Sequence, residues 1–133
     1  MKTKSIRQTV TFRTSPHEVY EALLDSRKHA RFTGSKASIS RTVHGRIMAY
    51  DGYIRGENIE LIPDRRIVQD WTADEECWPK DHRSKVTFAL KRVRTGTRLS
   101  FFHSGVPEKC HRDIRQGWWD NYWKPMKKAF EES

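Results

Sequence analysis

Hydrophobic and polar positions along the chain change period several times, and each change marks a predicted element. From Ser5 to Arg13, Ile6, Gln8, Val10 and Phe12 alternate with Arg7, Thr9 and Thr11, the period of a strand with one buried face. The alternation stops at Thr14-Ser15-Pro16-His17-Glu18. There Ser15 is placed to cap a helix, Pro16 suits the first helical position, and Glu18 lies three residues after the cap. Val19, Ala22 and Leu23 then recur at helical spacing. After Asp25-Ser26 a second short helix is predicted over 27–32, ended by Thr33-Gly34.

From Lys36 onward the signals are strands and tight turns. His44-Gly45 and Asp51-Gly52 mark short turns, and Asp-Gly is a preferred pair for a two-residue hairpin because both positions can require positive φ. Pro63-Asp64 is predicted to join strands over 53–62 and 66–72, and Thr95-Gly96 to join strands over 84–93 and 97–103. Such short connections make the sheet antiparallel. Val86, Phe88 and Leu90 share one face of the last hairpin, and Leu99, Phe101 and His103 share the matching face of its partner strand. Residues 73–83 are polar, aperiodic and interrupted by Trp78-Pro79, so they read as a long loop, a kind of segment that often carries function. Trp78 either covers a cavity mouth or plugs its loop onto the sheet.

A final helix follows. At about 100° per residue, Ile114, Trp118, Trp119, Tyr122, Trp123, Met126, Ala129 and Phe130 fall on one half of its circumference. Asp113, Asp120, Asn121, Lys124, Lys127, Lys128 and Glu131 fill the other half. An apolar arc of ~180° is wider than the ~100° stripe that ordinary packing needs. Either sheet covers both flanks, or part of the arc borders a cavity. Gly117 and Pro125 lie inside this helix: proline withholds the hydrogen bond to the carbonyl of Asn121 and predicts a bend, while glycine permits close approach of backbone or ligand.

Composition alters this picture only at the edges. Apolar residues make up 35% of 133 residues, and five Trp and six Phe compensate by burying large areas each. The length fits one domain over 1–133. No stretch approaches the ~18 apolar residues of a membrane span, and no apolar signal segment precedes the first strand, so a cytoplasmic protein is expected. Two cysteines, Cys77 and Cys110, are too few for a disulfide scaffold and are expected as free thiols. The net charge of +9 raises the question of nucleic acid, but Lys and Arg are scattered among acidic residues and form no single run. The ordinary reading is a solvated basic surface. The alternative is association with an acidic partner, and no specific nucleic-acid site is expected.

The order of elements, together with Asp51-Gly52-Tyr53-Ile54-Arg55-Gly56-Glu57-Asn58, Ile67-Val68-Gln69-Asp70-Trp71, Ser84-Lys85-Val86-Thr87-Phe88, Gly96-Thr97, His103-Ser104-Gly105-Val106-Pro107, Gly117-Trp118 and Tyr122-Trp123, resembles the START-like SRPBCC superfamily. Within it the chain is similar to the C-terminal domain of the activator of the ninety-kilodalton heat-shock chaperone's ATPase. The likeness runs from about Ile6 to Phe130. It departs at Phe32-Thr33-Gly34, where the family often has Trp, and at Trp71-Thr72, where Trp-Arg is common. The resemblance implies an α+β helix-grip fold, a curved antiparallel sheet of about six to seven strands wrapped around a long C-terminal helix, with two short helices after the first strand. It does not carry over co-chaperone activity, because the eukaryotic co-chaperone has a separate N-terminal domain with no counterpart in these residues.

The resemblance also implies a cavity between sheet and helix, used across the superfamily for apolar molecules. Tyr53, Ile59, Leu61, Gln69, Trp71, Phe88, Leu90, Leu99, Phe101 and His103 fall on strand faces that alternation turns inward, with Trp118 and Tyr122 on the helix opposite. The other reading is that these side chains fill the space themselves. His103 is the candidate acid, base or ligand donor, against a structural role bonded to the Ser104-Gly105 loop. Gln69 and Glu57 face inward by the same alternation, or solvent at a sheet edge. Cys77, His82, Cys110 and His111 match no zinc spacing, and no phosphate loop or activated nucleophile is legible, so neither metal nor cofactor is expected. The leading expectation is therefore a non-enzymatic domain that binds a small apolar ligand. A protein-interaction domain using its basic surface is the second, and a cyclase- or hydrolase-like enzyme is the third, resting on fold analogy alone.

Overall fold

The structure, a computed structural model, describes residues 1–131. Strand β1 (Thr3–Phe12) leads into helices α1 (Pro16–Leu24) and α2 (Ser26–Thr33). Strands β2 (Ser38–Ile39), β3 (Arg46–Ala49), β4 (Ile54–Ile62), β5 (Arg66–Ala73), β6 (Ser84–Val93) and β7 (Gly96–Pro107) follow as a meander. The C-terminal helix is built from α3 (His111–Trp118), a π-helical turn (Trp119–Trp123) and α4 (Lys124–Glu131). All strands pair antiparallel in one seven-stranded sheet of order β1-β7-β6-β5-β4-β3-β2. This is the predicted α+β helix-grip architecture: sequence neighbours are sheet neighbours except β1, which α1 and α2 separate from the meander and which returns beside β7.

Local chemistry explains the early elements. The Ser15 hydroxyl accepts the Glu18 N–H at 3.2 Å, with Pro16 opening α1. Asp25 caps α2 by accepting the Lys28 N–H at 3.0 Å, and Gly34, at φ 74°, closes it in the left-handed conformation that glycine adopts without a Cβ clash. The Asp51-Gly52 turn differs from the predicted two-residue hairpin. Tyr50, Asp51 and Gly52 all take positive φ, and the chain needs the whole stretch from Tyr50 to Tyr53 to pass from β3 to β4.

The alternation in β4 also breaks. Its register with β5 slips between Asn58 and Glu60, so Ile54 and Asn58 point inward while Ile59 stands 42% exposed. Strict period-two counting places Ile59 and Glu57 on the inner face. One extra residue on the bulged strand reverses that assignment, leaving Glu57 only half-buried and Asn58 wholly covered.

The C-terminal helix carries the centre of the core. Pro125 has no N–H to give to the Asn121 carbonyl, and the helix widens there: the Lys124 N–H reaches back to the Trp119 carbonyl, five residues away. Each π turn spends an extra residue, so Ile114, Trp118, Tyr122 and Met126 stay on the buried face at steps of four, while Trp119 rotates out to 42% exposure. The apolar stripe is thus narrower than the wheel predicts. Trp118 packs at 4.4 Å from Phe101 and 5.6 Å from Trp71, and stacks on Trp123 at 5.6 Å. Trp123 donates its indole N–H to Gln8 of β1 at 2.7 Å, tying the helix to the sheet edge. Among the described residues no helix is long and apolar enough to cross a membrane.

Cys77 and Cys110 are joined in a disulfide, which corrects the expectation of free thiols. A cysteine count says nothing about distance. The fold lays the β5–β6 loop against the start of the C-terminal helix and brings the two Cα atoms to 5.7 Å, within bridging range. The bond closes a loop over a sequence separation of 33 residues, which constrains the unfolded chain by about 3–4 kcal/mol. Cys77→Ser, or reduction of the native chain, is therefore expected to lower unfolding free energy by about that amount, read as a lower urea midpoint in the presence of reductant.

Candidate functional site

A directional hydrogen-bond chain crosses the core. Trp118 donates its indole N–H to His103 Nδ1 at 3.0 Å, so the ring proton sits on Nε2, which donates to Ser84 Oγ at 2.8 Å. Ser84 in turn donates to the Trp71 carbonyl at 2.8 Å. His103 is fully buried, and burial, helped by the nearby His111 charge, pulls its pKa down to about 3. Both ring nitrogens are engaged, so the imidazole joins strands β5, β6 and β7 to the helix. Ser104-Gly105 is not a loop but part of β7, and the side chain that bonds there is His82, which donates to the Gly105 carbonyl at 2.7 Å. His111 donates to the Ser5 carbonyl at 2.9 Å. The four residues weighed for a metal are thus a disulfide and two separate histidine–carbonyl bonds.

A second buried histidine has no forerunner in the sequence pattern. His29 donates from Nδ1 to the Leu23 carbonyl at 3.2 Å and accepts the Tyr122 hydroxyl at Nε2 at 2.9 Å. Burial lowers its pKa to about 4. Gln69 is also committed: its amide donates to Asn58 Oδ1 at 3.0 Å, and Asn58 donates to the carbonyls of Ser40 and Thr42.

The space between sheet and helix is mostly filled. Leu99 and Phe101 are fully packed, and beneath Gln69, Trp71, Phe88, Trp118 and Tyr122 only about 20 Å³ remains, the space of a single water. Leu61 and Leu90 border two other surface depressions, whose linings include no residue of the C-terminal helix. A groove of about 460 Å³ opens at the other end, where the β3–β4 turn, the β5–β6 loop and the C-terminal helix diverge. Of the predicted cavity residues, Tyr53, Trp71, Trp118 and Tyr122 line it. Tyr50, Glu75, Asp113 and Asn121 line it as well, and none of them stood out in the sequence.

Two features keep this groove open. Gly117 lies on its helical wall, and a Cβ there would meet nothing closer than the Asn121 amide nitrogen at 3.6 Å, so no backbone occupies the space that glycine leaves. Tyr50 props the opposite wall: its hydroxyl donates at 2.5 Å to the Asn121 carbonyl, whose usual donor four residues on is replaced by Pro125. The Tyr53 hydroxyl donates to Glu75 at 2.6 Å. Burial raises the Tyr50 pKa to about 12 and that of Tyr122 further, and burial followed by Glu75 raises that of Tyr53. The three hydroxyls hold their protons and donate them to protein acceptors.

The family described as "Activator of Hsp90 ATPase homolog 1-like protein" matches residues 13–131. The human activator of 90 kDa heat shock protein ATPase homolog 1 is 29% identical over 120 residues, covering 90% of this chain and 35% of that one. A Dictyostelium discoideum homologue is 28% identical over 132 residues, 98% of this chain and 34% of its own. The chain thus spans about a third of the length of these curated relatives. Among solved structures, an HSP90 activator from Plasmodium falciparum superposes with a TM-score of 0.86 at 23% identity, covering 94% of each chain. An Aha1 dimer from Colwellia psychrerythraea gives 0.79 at 20% identity, covering 96% of each.

The two buried histidines make stability depend on pH. Both rings are neutral in the fold, whereas an unfolded histidine takes up a proton near pH 6.5. The unfolded state therefore binds more protons as pH falls, and stability is expected to drop from about pH 6.5 to about pH 4, where His29 itself begins to charge. The loss is on the order of 3 kcal/mol for His29, and at least as large for His103 over a wider window. Urea midpoints between pH 7.5 and 4 check this, and His29→Gln should flatten part of the slope.

Proposed function

The chain belongs to the Activator of Hsp90 ATPase homolog 1-like family, and from that premise we propose that this domain binds a small apolar molecule in the groove at the open end of the sheet. The observation that carries the reading is the groove itself. Its volume of about 460 Å³ falls in the range of small-molecule sites, and aromatic side chains from sheet, turn and helix converge on it. Gly117 supports the same reading. A helix interior gains about 0.5–1 kcal/mol from alanine over glycine, and space for the methyl group is present, yet glycine stands at this wall.

A neutral solvatochromic dye such as Nile red tests the proposal. Saturable binding with a blue-shifted emission is expected for the native chain. It should be lost in Gly117→Leu, whose side chain fills the groove without disturbing the core. A native chain with no saturable binding of the dye, or a Gly117→Leu variant that binds it equally well, would overturn the reading.

A second reading is favoured by the relatives: engagement of a 90-kDa heat-shock chaperone. The Plasmodium falciparum structure named as an HSP90 activator is matched over 94% of its own length, so the likeness extends over a whole activator chain of similar size. The +9 charge gives the partner surface its sign. Stimulation of such a chaperone's ATPase by this chain, weakening as salt rises, is the expected result. An unchanged ATPase rate at low salt would remove it.

A further inference from the structure

We propose that the groove selects a small organic cation, an aromatic or apolar body bearing a protonated or quaternary amine, because its walls are aromatic faces and its rim carries Glu75 and Asp113 with no cationic side chain to oppose them. This selectivity presupposes the small-molecule reading above and specifies its ligand.

The charge of the whole chain makes the groove's sign informative. Lys and Arg number 26 against 17 Asp and Glu, yet none of the residues that line the groove is Lys, Arg or His. An anionic ligand, which the overall charge would attract, finds no charged partner among the lining residues. Nor does it find the obvious donors: the hydroxyls of Tyr50, Tyr53 and Tyr122 point their protons at Asn121, Glu75 and His29, and the Trp118 N–H is held by His103. Apart from the Asn121 amide, the groove presents ring faces and hydroxyl lone pairs, both partially negative, which attract a cation over a ring.

The two acids add a directed field. Glu75 comes from the β5–β6 loop and is oriented by its bond to Tyr53. Asp113 comes from the first turn of α3, one helical turn before Gly117, and among the described residues neither acid is in an ion pair. Their combined sign is felt inside the groove: after burial, the influences on the Tyr53 hydroxyl are Glu75, Asp74 and Asp113, and every one of them holds its proton in place. The disulfide fixes the loop that carries Glu75 to the helix that carries Asp113, so both acids stay at one rim.

Three probes of similar shape separate the possibilities by NMR titration of the labelled chain: phenyltrimethylammonium, its uncharged isostere tert-butylbenzene, and benzenesulfonate. The ammonium is expected to bind about tenfold more tightly than the isostere, and the sulfonate more weakly than both. The double variant Glu75→Gln, Asp113→Asn should lower the ammonium's affinity several-fold and leave tert-butylbenzene unchanged. The amide introduced by Glu75→Gln still presents an oxygen to Tyr53, so the loop keeps its anchor. Equal binding of ammonium and isostere, or a preference that survives the double variant, would overturn cation selectivity while leaving the groove a small-molecule site. Binding of none of the three would overturn both.

Discussion

The indole of Trp118 is the contact on which the other features depend. Its face covers Phe101 and Trp71, its back stacks on Trp123, and its only donor is taken by a histidine on β7, the second strand of the sheet. Apolar burial alone would let the helix roll on the sheet at small cost, because it has no direction. The N–H to His103 bond has direction, in a buried site, where a lost partner leaves a polar group unsatisfied at a cost of about 1–3 kcal/mol. With Trp118 held, Gly117 and Asn121 are carried to the groove side and Tyr122 toward α2.

A second constraint acts one turn further on. Pro125 denies Asn121 its ordinary four-residue hydrogen bond, and two features stand beside that loss: the widened turn between Trp119 and Trp123, and the Tyr50 hydroxyl supplied from the β3–β4 connection. The left-handed run at Tyr50-Asp51-Gly52 belongs to the same arrangement, since a two-residue hairpin would leave no tyrosine in this position. A defect in the helix is satisfied by an unusual turn in the sheet, and the groove is the gap between them.

Much of this is legible in the residues, and the failures have physical causes. The Ser15 cap with Pro16 and the β6 strand Ser84–Val93 stand where pattern places them, because each is governed by neighbours within a few positions. Pattern misplaces Ile59 since alternation assumes an unbroken register, and the bulge after Asn58 breaks it. It misplaces Trp119 since a wheel of constant angle cannot anticipate a π turn. His29 and Tyr122 meet across a separation of 93 residues, and the cysteines across 33, distances at which no local pattern carries information. Glu75 and Asp113 escape notice for another reason. A carboxylate in a polar loop or on a polar helix face looks like ordinary solvent-facing charge until the fold shows what lies beside it.

The cross-link between Cys77 and Cys110 also has a consequence in time. A chain grows from its N-terminus, and Cys110 follows β7, so both strands of the last hairpin must be synthesised before Cys77 meets its partner. During that interval the nascent chain carries one unpaired thiol in a loop with no finished structure on its far side. Closure thus has to wait until β7 has been made and the chain has reached the start of the helix that completes the groove.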